Sequence, residues 1–152
     1  MAALYGIAYT IKMRRKSTGG QDYVIGKLEV VWLNLRADHK ATDWHWKIMI
    51  RTPDFIEQSH LDSAVAVLLD KKKPPTVREV KLTTLHEGTC VQMLHVGPYD
   101  DEPTTVAVML AHANAKGYES AGDHHDIYLS DPRRVAPARL KTIVRRPVEL
   151  SA

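Results

Sequence analysis

Cysteine is almost absent from this sequence: Cys90 stands alone. One thiol excludes an intramolecular disulfide and any zinc site built from several thiolates. Cys90 lies between Thr89 and Val91 in an apolar, strand-like run, where a buried, inert thiol is expected rather than a nucleophile. Long hydrophobic runs are missing too. No stretch approaches the roughly 20 apolar residues of a membrane-spanning helix, and the N-terminus carries no signal-peptide apolar region, so no membrane partner and a reducing cytoplasm are expected. Nor does charge of one sign dominate: 21 basic against 18 acidic residues leave a formal charge of +3. The basic runs, such as Lys71 to Lys73 and Arg145-Arg146, are short and scattered. They read as solvated faces and helix ends, and no specific nucleic-acid partner is expected. No Gly-x-Ser-x-Gly elbow presents a serine nucleophile. Of the eight histidines, His124 and His125 are adjacent, so on a strand their side chains point apart. Without a His-Glu-x-x-His or Cys/His spacing, neither metal nor cofactor is expected.

The 152 residues fit one domain with its own core. Leu4, Ile7, Ala8 and Ile11 recur at helical spacing and predict a helix from Met1 to about Met13, closed by the Gly19-Gly20 break. Tyr23 to Leu35 is rich in β-branched and aromatic residues and predicts a strand. Trp44 to Arg51 alternates, with Trp44, Trp46, Ile48 and Ile50 on one side. Ser59 is a plausible N-cap for a helix carrying Leu61, Val65, Leu68 and Leu69. Glu79 to Val96 reads as a long β pattern, one strand or two, with a bend or bulge at Glu87-Gly88. Asp101 and Pro103 start a helix with Val106, Met109, Leu110 and Ala113 as its buried stripe, and the cluster Asp100-Asp101-Glu102 is accounted for by capping and the helix dipole. Short strands follow at Asp126 to Leu129 and Leu140 to Val148. Strands and helices do not alternate one for one, so the expectation is α+β with a mainly antiparallel sheet.

Four stretches carry a resemblance that runs nearly end to end. They are Glu87 to Pro103 (with His95-Val96-Gly97-Pro98-Tyr99 at its centre), His124-His125-Asp126-Ile127-Tyr128-Leu129-Ser130-Asp131-Pro132, Trp46 to Phe55, and the opening Leu4 to Met13. Together they resemble the GyrI-like small-molecule-binding proteins. The resemblance implies two pseudo-repeated strand-helix-strand-strand modules, about 1–75 and 76–152, with a ligand cleft at their junction. It implies a planar aromatic, lipophilic, often cationic small molecule as partner. A stand-alone subset similar to this chain hydrolyses cyclopropane-bearing DNA-alkylating natural products, and other relatives are sensor domains of transcription regulators. For the regulator, no helix-turn-helix is expected beside the domain.

The site implied by the resemblance takes Trp32, Trp46, Tyr99 and Tyr128 as ring surfaces and Glu29 and Asp126 as acids, since a flat cation needs stacking faces and a carboxylate. Trp44 is a further aromatic candidate. If the chain is a hydrolase, Tyr99 polarises a carbonyl while Glu29 or Asp126 orients water. Three departures from the family pattern stand out. Asp126 occupies a position usually held by glutamate. Val30 replaces a glycine whose bulge would turn Glu29 and Trp32 toward one cleft, so strict alternation sets those two on opposite faces. The chain also begins at or inside a helix that usually follows a strand; a truncated chain, a misplaced start, and an edge strand from another chain, as in a homodimer, are the alternatives.

Overall fold

Apolar residues at helical spacing produce α1 (Ala2–Ser17), which buries Ile7, Ala8 and Ile11. It runs past the expected end at Met13 because Arg14, Arg15 and Lys16 place cations at the negative end of the helix dipole. The computed structural model of the protein describes residues 1–33 and 45–152. Trp44 and the end of the strand expected to reach Leu35 lie outside the described residues. Two compact units emerge, residues 1–27 with 49–85 and residues 28–48 with 86–152. They interleave along the chain.

The first unit is built around α1 and α2 (Gln58–Asp70). Its core joins Ile7 and Ile11 to Ile56, Leu61, Ala64, Leu68 and Val77, the last from a 3-10 turn at Pro75–Glu79. The N-cap of α2 is Glu57, not Ser59: the Glu57 backbone N–H donates to His60 Nδ1 at 2.9 Å. Gly26 is required by a close approach, since a Cβ there would stand 2.6 Å from the Arg51 carbonyl oxygen. Of the β pattern expected over Glu79 to Val96, the part after the Glu87-Gly88 bend forms a strand, Cys90–Val96, and the part before it does not. Val80 and Leu82 instead pack singly against this core, and Gly88, at a φ of 65°, turns the chain before any ladder begins.

The second unit holds an open antiparallel sheet in the order β2-β1-β5-β6-β3. Its strands are β1 (Leu28–Leu33), β2 (His45–Ile50), β3 (Cys90–Val96), β5 (His124–Tyr128) and β6 (Lys141–Leu150), while β4 (Tyr118–Ser120) pairs with the far end of β6. Three residues are too few for a two-residue period to show, so β4 left no signal in the sequence. Between β3 and β4 runs α3 (Glu102–Ala115), started by a 3-10 turn at Tyr99–Asp101 and burying Met109 and Ala113. Asp101 precedes α3 but makes no capping hydrogen bond through its side chain. Cys90 is half-buried rather than buried, its Sγ 3.7 Å from the Glu87 and Gly88 carbonyl oxygens. Burial, then the nearby Glu87 charge, pushes its thiol pKa up, so thiolate is scarce there. None of the helices among the described residues is long and apolar enough to cross a membrane.

Ala64 is fully buried (0% exposed), whereas Ala66 on the same helix is exposed. Ala64→Leu is therefore expected to cost about 1–3 kcal/mol by overpacking. Ala66→Leu should stay within about 0.5 kcal/mol of the parent. Urea denaturation of both variants checks the contrast.

Candidate functional site

The two-residue period of β5 decides which side chains meet. His124, Asp126 and Tyr128 face one way and His125 and Ile127 the other. Register adds the neighbours: Trp32 of β1 pairs with His124 and Val30 with Asp126, while Val144 and Thr142 of β6 pair with Asp126 and Tyr128. Trp32 thus joins Asp126 on one face, and Glu29, one step out of phase, lies on the other.

On the first face, Asp126 is 2% exposed. Trp32 Nε1–H donates to its Oδ2 at 2.7 Å, and His124 Nε2 lies 2.7 Å from its Oδ1. Because a carboxylate oxygen only accepts, His124 carries its proton on Nε2. Trp46 extends the aromatic surface from Trp32, with ring centroids 5.9 Å apart and planes tilted by 52°. Beyond Asp126, Tyr128 and Tyr99 meet edge to face at 5.6 Å. Exposure rises toward the ends of this row, to 57% at Trp46 and 39% at Tyr99.

Tyr99 is placed by the loop before α3. His95 Nε2 sits 2.9 Å from the Pro98 carbonyl oxygen, so it donates there, and Nδ1 accepts from the Thr105 hydroxyl at 2.8 Å. This buried histidine ties β3 to α3 across the turn that carries Tyr99. Burial raises the Tyr99 pKa, and Glu102, Asp131 and Asp126 raise it further. Tyr128 is raised strongly, again by burial first and then by Asp126 and Glu102.

Glu102 is the residue that sequence reasoning missed as part of this group. It leads α3, yet it reaches the Asp126 face, where burial and then repulsion from Asp126 push its carboxyl up to about 7, opposed by His124 and the Thr142 hydroxyl. Donor atoms of Glu102, His124 and Asp126 all lie within 4.8 Å of one another. Both Asp126 oxygens accept N–H bonds, one from Trp32 and one from His124, and Glu102 approaches that bonded pair. Only an acid's position at the first turn of a helix was visible in the sequence, and the helix dipole explains that position without a site.

The opposite face carries a second network. His125, 1% exposed, holds Glu29 Oε2 at 2.9 Å through Nε2 and Glu87 Oε1 at 2.8 Å through Nδ1. Two carboxylates require two N–H donors, hence an imidazolium. Glu87 also accepts from Arg145 at 3.0 Å. Burial works against charge on the ring, but the hydrogen bonds to Glu29 and Glu87 outweigh it and raise the His125 pKa. Of the six residues selected from the sequence, Trp32, Trp46, Tyr99, Asp126 and Tyr128 form one linked row, and Glu29 stands apart from it.

Comparison with known proteins gives a consistent picture. The family model of a GyrI-like small molecule binding domain matches residues 46–149. Among solved structures, an uncharacterized conserved protein from Listeria innocua is 39% identical, with a TM-score of 0.89 over 97% of this chain and 78% of that one. A structure of a hydrolase from Listeria innocua, also 39% identical, has a TM-score of 0.85 over 97% of this chain and 77% of its own. No curated protein matches the chain.

A raised His125 pKa means that its charged form stabilises the fold below the unfolded value of about 6.5, and that this contribution disappears as pH rises through the folded value. Glu29→Gln should therefore destabilise the protein more at pH 6 than at pH 9. Urea midpoints measured across that range test the sign; an equal loss at both ends would remove the imidazolium.

Proposed function

This chain belongs to the GyrI-like small molecule binding domain family, and from that premise we propose that it binds a flat, lipophilic, cationic aromatic molecule on the Asp126 face, in protection against xenobiotics. The observation that carries this reading is the row of rings Trp46–Trp32 and Tyr128–Tyr99 on either side of a buried acid fixed by Trp32 and His124. Rings supply stacking area at low entropic cost, and a carboxylate at low dielectric selects for positive charge. Glu29 contributes indirectly, by fixing β5 through His125.

A second reading, hydrolysis, is favoured by the relative from Listeria innocua described as a hydrolase. Its chemistry is water addition to a cyclopropane conjugated to a carbonyl: the water oxygen bonds to a ring carbon, a ring C–C bond breaks, and its electron pair moves toward the carbonyl oxygen. The Tyr99 hydroxyl stabilises charge growing on that oxygen, and Asp126 takes the proton of the water.

Rhodamine 6G, a permanently cationic planar dye, probes the binding reading. Asp126→Asn should weaken it about ten- to hundred-fold, on the order of 1.5–3 kcal/mol for an acid that no longer offers charge. Glu29→Gln should bind within about threefold of the parent. Parent-like affinity in Asp126→Asn would sink the assignment of Asp126. Incubation with a cyclopropane-bearing alkylator, read by mass spectrometry, separates the two readings. An intact compound means binding alone, and a gain of one water means turnover.

A further inference from the structure

Two acids converge where the sequence promised one. Asp126 already accepts from Trp32 and His124 through both oxygens, and such donors stabilise the anion. Glu102 has no N–H donor of this kind: its Oε1 is buried and makes no hydrogen bond, and only His124 and the Thr142 hydroxyl favour its charge. Beside it, the Thr142 hydroxyl, on a residue 1% exposed, is likewise buried without a well-formed hydrogen bond. Glu102 is thus short of a positive or proton-bearing partner at Oε1. Two ionised carboxyls this close and this dry repel, and desolvation penalises each.

The charged and titratable groups around Glu102 come from three elements. From β5 there are Asp126, His124 and Tyr128; from β6 there is Arg146, half-buried, which faces Asp126 and Asp123 and whose own charge burial disfavours. From the turn that starts α3 there is Tyr99, with Asp131 near it. His124 eases the repulsion only in part, because its Nε2–H is committed to Asp126 and its Nδ1 is buried without a partner.

We propose that Glu102 is the proton-carrying acid of the Asp126 site: in the empty protein the two carboxyls hold one proton between them, seated on Glu102, and a cationic ligand displaces it. This rests on the cationic-ligand reading above. The assignment of the proton follows from the hydrogen bonds, since the acid with two N–H donors keeps the charge and the acid with no N–H donor and an unbonded buried Oε1 keeps the proton. The direction of the raised Glu102 pKa agrees. A fixed cation then supplies the positive partner that Glu102 lacks, and the Glu102 proton leaves to solvent. Binding becomes linked to pH by mass action.

Carbon-13 NMR of protein labelled at glutamate carboxyls tests the proton without any ligand. One resonance should titrate near pH 7 and be missing in Glu102→Gln. Calorimetry with rhodamine 6G in buffers of different ionisation enthalpy should then show close to one proton released per dye at pH 6. Dye affinity should fall about tenfold per pH unit below the Glu102 midpoint and level off above it. Neutral coumarin 153 should show no such dependence, and Glu102→Gln should bind rhodamine 6G with a flat pH profile. A Glu102 resonance titrating in the ordinary carboxyl range overturns the proposal whether or not the dye binds. Dye binding that is independent of pH in the parent overturns the displacement. A resonance near pH 7 with no dye binding at any pH overturns the displacement together with the cationic-ligand reading, and leaves the proton on Glu102 established.

Discussion

The pair of hydrogen bonds that Trp32 and His124 make to Asp126 organises the second unit. A carboxylate that is almost fully buried is costly unless donors surround it. Here one donor comes from the neighbouring strand and one from two residues earlier on its own strand, so the register of β1 on β5 and the charge of the acid sustain each other. Sliding β1 by one residue would bring Val31 or Leu33 toward Asp126 in place of the indole and leave an uncompensated charge inside the sheet.

That constraint also explains why the sheet carries a different acid system on each face. Alternation sends His124 and Asp126 to one side and His125 to the other, and each side recruits its own carboxyls. Glu102 joins the first, while Glu29 and Glu87 join the second. The two differ in charge balance. His125 and Arg145 compensate Glu29 and Glu87, and the result is a closed structural network. The Asp126 side brings two carboxyls together, with Arg146 facing Asp126, beside rings that reach the surface. A carboxyl able to release its proton beside exposed ring faces suits an incoming cation; a network already neutralised by fixed cations does not.

Much of this was legible in the sequence, for identifiable reasons. Strand alternation and the missing glycine at Val30 were enough to separate Glu29 from Trp32. The stripe of α3 was visible in Met109 and Ala113 because its spacing is helical. The Glu87-Gly88 bend was visible from the glycine, but not that the Glu87 side chain reaches His125, which depends on a contact 38 residues away in sequence. The first part of the β pattern expected from Glu79 forms no strand because Val80 and Leu82 are apolar for packing against a helical core rather than for pairing. Glu102 was hidden for a similar reason: an acid in the first turn of a helix already has a sufficient local explanation, and its approach to Asp126 appears only when β5 and α3 are brought together in space.

The claim at the centre is that the Trp32–Asp126 bond faces the ligand. The indole N–H of Trp32, seen by nitrogen-15 NMR and assigned with Trp32→Phe, reports on it directly. Saturating rhodamine 6G should shift that resonance, and Asp126→Asn should move it in the empty protein. A Trp32 indole unchanged by bound dye would contradict the account.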